Sequence, residues 1–450
     1  MTVRLEFEDG TLRIKSDRDS DPPLGGLPGV ESDPRSDTAR APAHHYAPIR
    51  DLLRELDADV DDRVSPTASL PLSTAYELRD YQRAALDAWI DSNRRGVLEL
   101  PTGAGKTVIA LAAIADTGRP TLIIVPTIDL LDQWQRELET EFDVPIGRLG
   151  GGEQRVEDVT VSTYDSAYLR ADELGDRFGL VVFDEVHHLG AEGYQDIARL
   201  LAAPDRLGLT ATFERPDGAH EAIRDLVGPR VYQLDVDDLA GDHLAPYEIR
   251  RIEVELTADE RAAYDEAQGT FVDYVRSSNI SFSSGSDYLQ LVKRSGTDPA
   301  AREALLAKQR ARELMMNAAN KRHQLARILD RHRDDRIIVF TAHTELVYRL
   351  SERFLLPAIT NETGAAERRE ILQRFREGTY SRIVAANVLD EGVDVPDANV
   401  AVVLSGNGSE REFTQRLGRI LRPKADGGRA VLYELVSSET AEERVAERRR

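Results

Sequence analysis

The sequence predicts an α/β protein with two parallel-sheet domains in tandem, a helical segment and a small N-terminal module. Short apolar strands alternate with helical stretches from Leu78 to about Leu239, and a second alternation begins at Ile337–Phe340. Such alternation is typical of parallel sheets covered by helices. The chain has 450 residues, too many for one ordinary core, so two or three domains are expected.

The strands are predicted at the short apolar runs, which are residues 96–100, 121–125, 159–162, 180–183, 207–209, 337–340, 383–385, 400–404 and 430–435. The stretch 257–333 has no such run and is predicted to be helical. We therefore predict a module at 1–72, a first core domain at 73–245 and a second at 246–450. The second contains a helical insertion at about 257–320.

The predicted N-terminal module begins with a hairpin over residues 1–15, because alternating residues flank a Glu-Asp-Gly turn. Residues 16–45 are rich in Asp, Ser, Pro and Gly and are predicted to be a loop or linker. A short helix is predicted at Ile49–Leu56.

Composition limits the class of protein. Cysteine is absent, which excludes disulfides and thiol catalysis, and no apolar run approaches the roughly 20 residues that span a bilayer. The N-terminus carries acids where a signal peptide would be apolar. We therefore expect a soluble, cytoplasmic protein without a membrane partner.

The formal net charge is −22, and only six of the 58 basic residues are lysines. This balance resembles proteins of a microbe with a salt-rich cytoplasm, although a GC-rich genome also favours Arg over Lys. The charge is uneven: residues 300–333 hold nine Lys or Arg against three Asp or Glu. That stretch is either a surface for a phosphate backbone or the solvated face of an amphipathic helix.

A glycine-rich loop, LPTGAGKT, follows the first predicted strand and leads into a helix. Gly103 and Gly105 allow backbone N–H groups to close around phosphates at a helix N-terminus. Lys106 would reach the β- and γ-phosphates, and Thr107 would hold Mg²⁺. The nucleotide-binding loop is predicted to include Pro101, Thr102, Gly103, Ala104, Gly105, Lys106 and Thr107. Leu100 stands where the simple pattern has glycine.

A second motif, LVVFDEVH, is an apolar strand that ends in two acids. Asp184 fits the role of a magnesium ligand, and Glu185 that of a general base for the attacking water. Its position about eighty residues after the loop strengthens this interpretation. His187 is predicted to couple the nucleotide site to the second domain, and His188 to be packed.

A third motif, QRLGRILR, places Arg419 and Arg422 three residues apart, on one face of a helix. That face could reach the γ-phosphate as arginine fingers. Exposed arginines are common on helices, so the pair alone does not indicate a function. The role as arginine fingers is favoured because the motif lies near the end of the second predicted domain.

Together these motifs resemble superfamily 2 helicases, and more closely the archaeal XPB-type DNA repair helicases. The resemblance runs from about residue 78 to 424 and includes LRDYQ, VPTIDLLDQW, TAT at Thr210–Thr212, LDEGVDVP and QRLGRILR. It implies two RecA-like cores, a thumb-like helical insertion and a damage-recognition module at 1–72.

The resemblance also implies roles for particular residues. Gln82 would read the adenine, whose donor and acceptor an amide can match, with Arg79 nearby. Asp394 would lie near the ribose and Gln415 near the γ-phosphate, making Lys106, Glu185, Gln415, Arg419 and Arg422 the catalytic set. Residues that would contact a nucleic-acid strand are Pro126, Thr127, Thr163, Arg215, Asp217, Thr341, Val388 and Gly392.

One departure from the family is at Arg215-Pro216-Asp217, where XPB-type proteins carry Arg-Glu-Asp, associated with duplex opening. Proline removes a carboxylate and an N–H. The resemblance implies an ATP- and Mg²⁺-dependent DNA helicase or translocase that moves 3′→5′ and acts in nucleotide excision repair. It leaves a transcription-linked role as a second setting for this activity. The alternatives are an RNA helicase and an ATP-switched motor that serves a partner nuclease.

Overall fold

The computed structural model describes residues 2–16, 26–33, 38–64, 69–101, 103–191, 193–214, 218–235, 247–278, 285–386, 398–404 and 430–443. Within these ranges the chain forms two compact units, one up to residue 235 and one from residue 247. No helix in the described ranges combines the length and apolarity needed to cross a membrane.

The first unit begins with a five-stranded sheet in the order β3-β4-β2-β1-β5. Its strands are β1 (Thr2–Glu8), β2 (Thr11–Ser16), β3 (Glu31–Asp33), β4 (Thr38–Pro42) and β5 (Asp59–Asp62), and helix α1 (Tyr46–Glu55) packs on it. The predicted hairpin is confirmed: β1 and β2 pair around Asp9 and Gly10, both at positive φ.

The prediction of a loop or linker over 16–45 was wrong for the described residues 26–33 and 38–45, because β3, β4 and a 3-10 helix (Ala43–His45) lie there. The turn-forming composition concealed β4, whose inward residues are only alanines and a threonine. Arg40 on β4 pairs with Asp33 and with Glu8 across the sheet. Ion pairs between strands therefore help to stabilise β4, which lacks the large apolar residues of the other strands.

The N-terminal sheet packs on the first core domain. Ala202 of the core belongs to the same apolar cluster as the module's strands, and Gly10 lies against Leu200. A Cβ at position 10 would come within 2.3 Å of Leu200 Cδ2. The module and the first core therefore behave as one packed body.

His44 lies in this contact and makes stability depend on pH. Burial, then the neighbouring His45 and Arg206, lowers the pKa of His44 from 6.5 to about 4. Between pH 4 and 6.5 the unfolded chain binds more protons at this residue than the folded chain does. The free energy of unfolding therefore falls as the pH drops from about 6.5 to 4, and His44 does not change it above pH 6.5. Because His44 is only partly buried, screening by water keeps the loss below the roughly 3 kcal/mol that the whole shift would give at about 1.36 kcal/mol per pKa unit.

We expect urea unfolding from pH 7.5 to 4 to show this loss in the wild type and a smaller one in His44→Gln, which stays neutral. Parallel pH curves for the two proteins would contradict the assignment.

The first core is an eight-stranded sheet in the order β13-β6-β12-β11-β7-β10-β8-β9, parallel except for the pairing of β8 with β9. The strands are β6 (Arg95–Glu99), β7 (Thr121–Val125), β8 (Ile146–Gly150), β9 (Glu153–Arg155), β10 (Val159–Thr163), β11 (Leu180–Asp184), β12 (Asp205–Thr210) and β13 (Arg230–Gln233). The helices are α2 (Asp80–Asp91), α3 (Lys106–Thr117), α4 (Ile128–Glu141), α5 (Tyr164–Leu169), α6 (Gln195–Leu200) and α7 (His220–Leu226), with a 3-10 helix at Val186–Gly190.

The second unit contains a parallel sheet in the order β14-β19-β18-β15-β17-β16. Its strands are β14 (Tyr247–Val254), β15 (Ile337–Phe340), β16 (Ala358–Ile359), β17 (Arg382–Ala385), β18 (Val400–Val403) and β19 (Ala430–Ser437). Helices α12 (Thr344–Phe354) and α13 (Ala365–Arg376) connect strands of this sheet. The sequence pattern missed β14, whose apolar residues alternate with charged ones, and the two-residue β16.

The predicted helical segment is confirmed for described residues 257–278 and 285–333, in which no strand occurs. It comprises α8 (Ala258–Ser277), α9 (Gly285–Ser295), α10 (Pro299–Met316) and α11 (Ala319–Arg331). Glu260 ties the start of α8 to the start of α11, since its carboxylate accepts from Thr257 N and from Ala319 N.

Two of the nine basic residues in 300–333 have structural roles. Lys321 is 1% exposed and pairs with Glu442 at 2.6 Å, and Lys308 lies 4.9 Å from the ring centres of both Phe271 and Tyr288. Lys321 is thus not available to a phosphate backbone. The exposed basic residues are Arg302, Arg310, Arg312, Arg327, Arg331 and Arg333.

Candidate active site

The glycine-rich loop connects β6 to the start of α3, as predicted. Gly103 and Gly105 have φ of 87° and 79°, and Gly105 precedes the first turn of α3. No described side chain caps this helix, so its first N–H groups face the loop. A helix N-terminus in this arrangement is suited to bind phosphate.

Gln82 braces the loop from α2. Its Nε2 donates to Ala104 O at 3.1 Å, and its Oε1 accepts from Arg79 N at 3.0 Å. Tyr81 Oη also donates to Ala104 O, at 2.9 Å. Gln82 is buried, whereas Arg79 is exposed and contacts Tyr81. The adenine-reading role of Gln82 remains a prediction.

A side chain at position 105 would displace the Gln82 amide from Ala104 O, because a Cβ there would lie 2.4 Å from Gln82 Nε2. The positive φ adds roughly 1–2 kcal/mol of strain for any other residue. We expect Gly105→Ala to raise the KM for ATP at least about tenfold, since about 1.4 kcal/mol of lost binding gives that factor. Gly152→Ala is the matched control: φ is 92° there, and nothing lies within 4 Å of the added Cβ. Equal effects of the two variants on KM would contradict the bracing role of Gln82.

Lys106 begins α3 and folds back over the loop. Its Nζ donates to Leu100 O at 3.1 Å and to Pro101 O at 3.4 Å. Its charge also favours the ionised form of Asp184. A phosphate would compete with carbonyl oxygens for the same donor.

Asp184 ends β11, every residue of which is buried. Burial, and then the charge of Glu185, raises the pKa of Asp184 to about 6, while hydrogen bonding to Trp134 and the charge of Lys106 oppose this rise. Such a buried acid needs cationic partners to be fully ionised at neutral pH.

Glu185 has φ of 48°, rare for a residue with a side chain. Its Oε2 is buried without a hydrogen-bond donor among the described residues and lies 3.5 Å from His187 Nδ1. A carboxylate oxygen with free acceptor capacity suits a general base. Its strained backbone at the edge of the sheet agrees with a functional constraint.

His187 connects this pair to the Thr210–Thr212 segment. Its Nδ1 lies 3.3 Å from Thr210 Oγ1, which donates to Thr212 O. Glu99, at the end of β6, binds the residue that follows this segment: its carboxylate accepts from Phe213 N at 2.9 Å and from Arg230 Nη1 at 2.6 Å. His188 packs on Tyr164, with ring centres 5.8 Å apart.

The predicted strand-contact residues of the first core lie at the carboxyl ends of neighbouring strands. Pro126 and Thr127 follow β7, and Thr163 ends β10, which pairs with β7 in parallel. Both threonines cap helices, since Thr127 Oγ1 accepts from Leu130 N and Thr163 Oγ1 from Ser166 N. Thr341 of the second unit is buried and follows β15.

Several predicted site residues lie outside the described residues. These are Thr102, Arg215, Asp217, Val388, Gly392, Asp394, Gln415, Arg419 and Arg422. Their roles stay predictions. Sequence reasoning in turn missed Tyr81, Glu99, Trp134 and Tyr164, all of which contact the loop, the Asp-Glu pair or their neighbours. Of these, only Tyr81 and Trp134 fall inside motifs that the sequence had singled out.

A glycine-rich loop at a helix N-terminus and an Asp-Glu pair at one edge of a parallel sheet are typical of the nucleotide-hydrolysing P-loop proteins. Three family models match the chain: the XPB helicase damage recognition domain over residues 5–64, the res subunit of type III restriction enzymes over 75–215 and the ERCC3/RAD25/XPB C-terminal helicase over 298–450.

Curated relatives agree with these matches. The chain is 45% identical to DNA 3′-5′ translocase XPB2 of Sulfurisphaera tokodaii, over 94% of this chain and 96% of that protein. It is 33% identical to DNA 3′-5′ helicase XPB of Mycobacterium tuberculosis and 34% to putative DNA 3′-5′ helicase Rad25 of Halobacterium salinarum. Those matches cover 83% and 91% of this chain and 63% of each relative. The chain belongs to the ERCC3/RAD25/XPB helicase family.

Among solved structures, the helicase domain of Pyrococcus furiosus Hef matches with a TM-score of 0.53 and 19% identity, over 83% of this chain and 98% of that chain. At this identity the match supports the fold: two RecA-like domains in tandem.

Proposed function

We propose that this chain is an ATP-driven DNA helicase or translocase of XPB type that moves 3′ to 5′ and opens DNA in nucleotide excision repair. One observation carries the proposal. The phosphate loop and the Asp184–Glu185 pair share one sheet edge in a chain 45% identical to a named DNA 3′-5′ translocase. Relatives named as TFIIH subunits make transcription-linked opening a second setting for the same activity.

The described residues fit a magnesium–ATP complex. The loop glycines Gly103 and Gly105 have positive φ, no described side chain caps α3, and the charge of the loop lysine favours the ionised form of the buried Asp184. Thr107 and Asp184 would hold Mg²⁺, which when bound neutralises charge on the phosphate oxygens. The N–H groups of loop residues 103–107 and the ammonium of Lys106 would orient the phosphates for in-line attack.

Glu185 would accept the proton of the attacking water through its buried, donor-free oxygen. Protonation of Glu185 would alter its contact with His187, and His187 would in turn alter its contact with Thr210. Because Glu99 joins the end of β6 to Phe213, the same segment is tied to the phosphate loop. We propose that this path couples hydrolysis to the movement of the cores.

The second core would complete the site. By family resemblance, Gln415, Arg419 and Arg422 would approach the γ-phosphate and Asp394 the ribose, with Gln82 and Arg79 at the base. Pro126, Thr127, Thr163, Thr341, Val388 and Gly392 would follow one DNA strand, and Arg215 and Asp217 would act at the duplex junction. Residues 1–72 would recognise damage, which the family match over 5–64 supports.

Two alternatives remain in the same class. An RNA helicase shares these cores, and an ATP-switched motor could serve a partner nuclease without processive unwinding. We favour DNA as the substrate because the relatives' names specify DNA. We also propose that the protein acts in the cytoplasm. The net charge of −22 suits a salt-rich cytoplasm, so assays belong in high-potassium buffer.

Pro216 distinguishes an unwinding helicase from a switched motor. Glutamate at this position restores the carboxylate of the family's Arg-Glu-Asp triplet and removes the φ restriction of proline. We expect Pro216→Glu to raise the rate of duplex unwinding while ATP turnover on single-stranded DNA stays the same. Pro216→Ala separates the carboxylate from the backbone effect. An unwinding rate that does not rise in Pro216→Glu would contradict a role of this triplet in duplex opening.

The test of the proposal is unwinding of a tailed duplex with ATP and Mg²⁺. A duplex with a 3′ single-stranded tail should open, one with a 5′ tail should not, and Glu185→Gln should open neither. Opening of the 5′-tailed duplex alone would overturn the proposed polarity. Opening of RNA duplexes at an equal rate would favour the RNA helicase.

A further inference from the structure

The chain has two tryptophans, and one of them contacts the proposed magnesium ligand. Trp134, on α4, is 1% exposed, and its Nε1 donates to Asp184 Oδ2 at 2.8 Å. The other carboxylate oxygen, Oδ1, accepts from Glu185 N at 3.0 Å. Each oxygen of Asp184 therefore has a donor. An indole N–H donates in one fixed direction and cannot accept, so it restrains the rotation of the carboxylate.

The helix that carries Trp134 starts at a proposed DNA contact. Thr127 caps α4 through Leu130 N, and Trp134 lies seven residues further on, about two helical turns away. Leu130, Leu131 and Leu138 bury the same helix against the sheet. A displacement at the start of α4 would thus be transmitted to Asp184 through packed structure.

A second helix converges on the same residue. Thr163 caps α5, whose first residue is Tyr164. Tyr164 Oη donates to the backbone carbonyl of Asp184 at 3.2 Å. Both helices that begin at predicted strand-contact threonines therefore hold Asp184, one at its carboxylate and one at its backbone.

We propose that Trp134 is a positioning residue that couples DNA contact at the start of α4 to magnesium–ATP binding at Asp184. The inference rests on the proposed function, which supplies the DNA and the nucleotide. Such coupling is reciprocal: if DNA tightens the metal site, bound metal tightens DNA by the same factor.

The variant that isolates the N–H is Trp134→Phe, which keeps an aromatic ring and removes the donor. Trp89→Phe is the matched control, because Trp89 is 0% exposed and its Nε1 donates at 2.9 Å to Arg206 O, away from Asp184. Both variants lose one buried indole hydrogen bond, so a merely structural effect would appear in both.

The measurement is the Mg²⁺ concentration that gives half-maximal ATP turnover, with and without oligo(dT). We expect Trp134→Phe to raise it about 10- to 100-fold, as is typical when a residue that orients a metal ligand is lost. Turnover at saturating Mg²⁺ should be largely restored, while stimulation by oligo(dT) is reduced. Trp89→Phe should change neither. Equal shifts in the two variants, or no shift in Trp134→Phe, would overturn the proposal.

Fluorescence gives a readout that does not require turnover. In Trp89→Phe, Trp134 is the only tryptophan, so its emission reports on the Asp184 contact. We expect the emission to change on adding Mg²⁺ with ATP, and oligo(dT) to shift the Mg²⁺ titration to lower concentration. Emission unaffected by either addition would overturn the coupling. If oligo(dT) alone has no effect on the wild type but the Mg²⁺ shift of Trp134→Phe stands, the DNA part of the proposed function fails and the positioning role survives.

Discussion

Glu185→Gln is expected to lower ATP turnover about 10²- to 10⁴-fold, the contribution typical of a general base. The buried Oε2 has no described donor, so it can accept a proton from water, whereas an amide cannot. Glutamine has the same size, so the strained backbone at φ 48° and the packing should persist. Steady-state turnover and equilibrium ATP binding, measured together, separate chemistry from binding.

The control for this variant is Glu173→Gln, an exposed glutamate in the same unit that pairs with Arg170. It should change turnover little, because exposed ion pairs contribute little. ATP affinity should stay within a few-fold of wild type in both variants. If Glu185→Gln retains turnover within about tenfold of wild type, Glu185 is not the base.

Lys321→Met is expected to destabilise the second unit by about 3–5 kcal/mol, the range for removing one partner of a buried ion pair. Lys321 Nζ donates to Leu404 O at 2.7 Å and to Glu442 Oε2 at 2.6 Å. The variant leaves a largely buried carboxylate without its cation. Burial lowers the pKa of Lys321 despite the opposing charge of Glu442, which agrees with a high desolvation cost.

Adding Glu442→Gln to Lys321→Met should recover part of the lost stability, because it removes the uncompensated charge while the amide oxygen can still accept from Ser437 N. Arg333→Met is the matched control, since its pair with Asp330 is exposed. We expect little or no loss of stability there, because exposed ion pairs contribute little. Urea unfolding of the four proteins tests this set, and a loss of under 1 kcal/mol for Lys321→Met would contradict it.

The parts of the site that sequence could predict are local. The loop from Leu100 to Thr107 places strand, glycines, lysine and helix within a few residues, so its geometry follows from residue types. Asp184 and Glu185 follow a run of buried apolar residues, which indicates a strand end. In both cases the chemistry and the secondary structure share one short segment.

The residues that sequence missed act through contacts between distant segments. Trp134 meets Asp184 fifty positions away, and Glu99 meets Arg230 at a separation of 131. No local period identifies such pairs, because the order of strands in the sheet brings them together. The error at residues 16–45 has a local cause. The short strand β4 is held partly by ion pairs and has a turn-like composition, so its sequence did not indicate a strand.

The most direct test of the account is steady-state ATP turnover in high-potassium buffer without nucleic acid, with single-stranded DNA and with RNA of the same sequence. For a DNA-dependent motor we expect strong stimulation of turnover by DNA and little by RNA. In Glu185→Gln we expect both the basal and the DNA-stimulated turnover to be lost. Turnover that is equal in all three conditions, or stimulated equally by RNA, would contradict it.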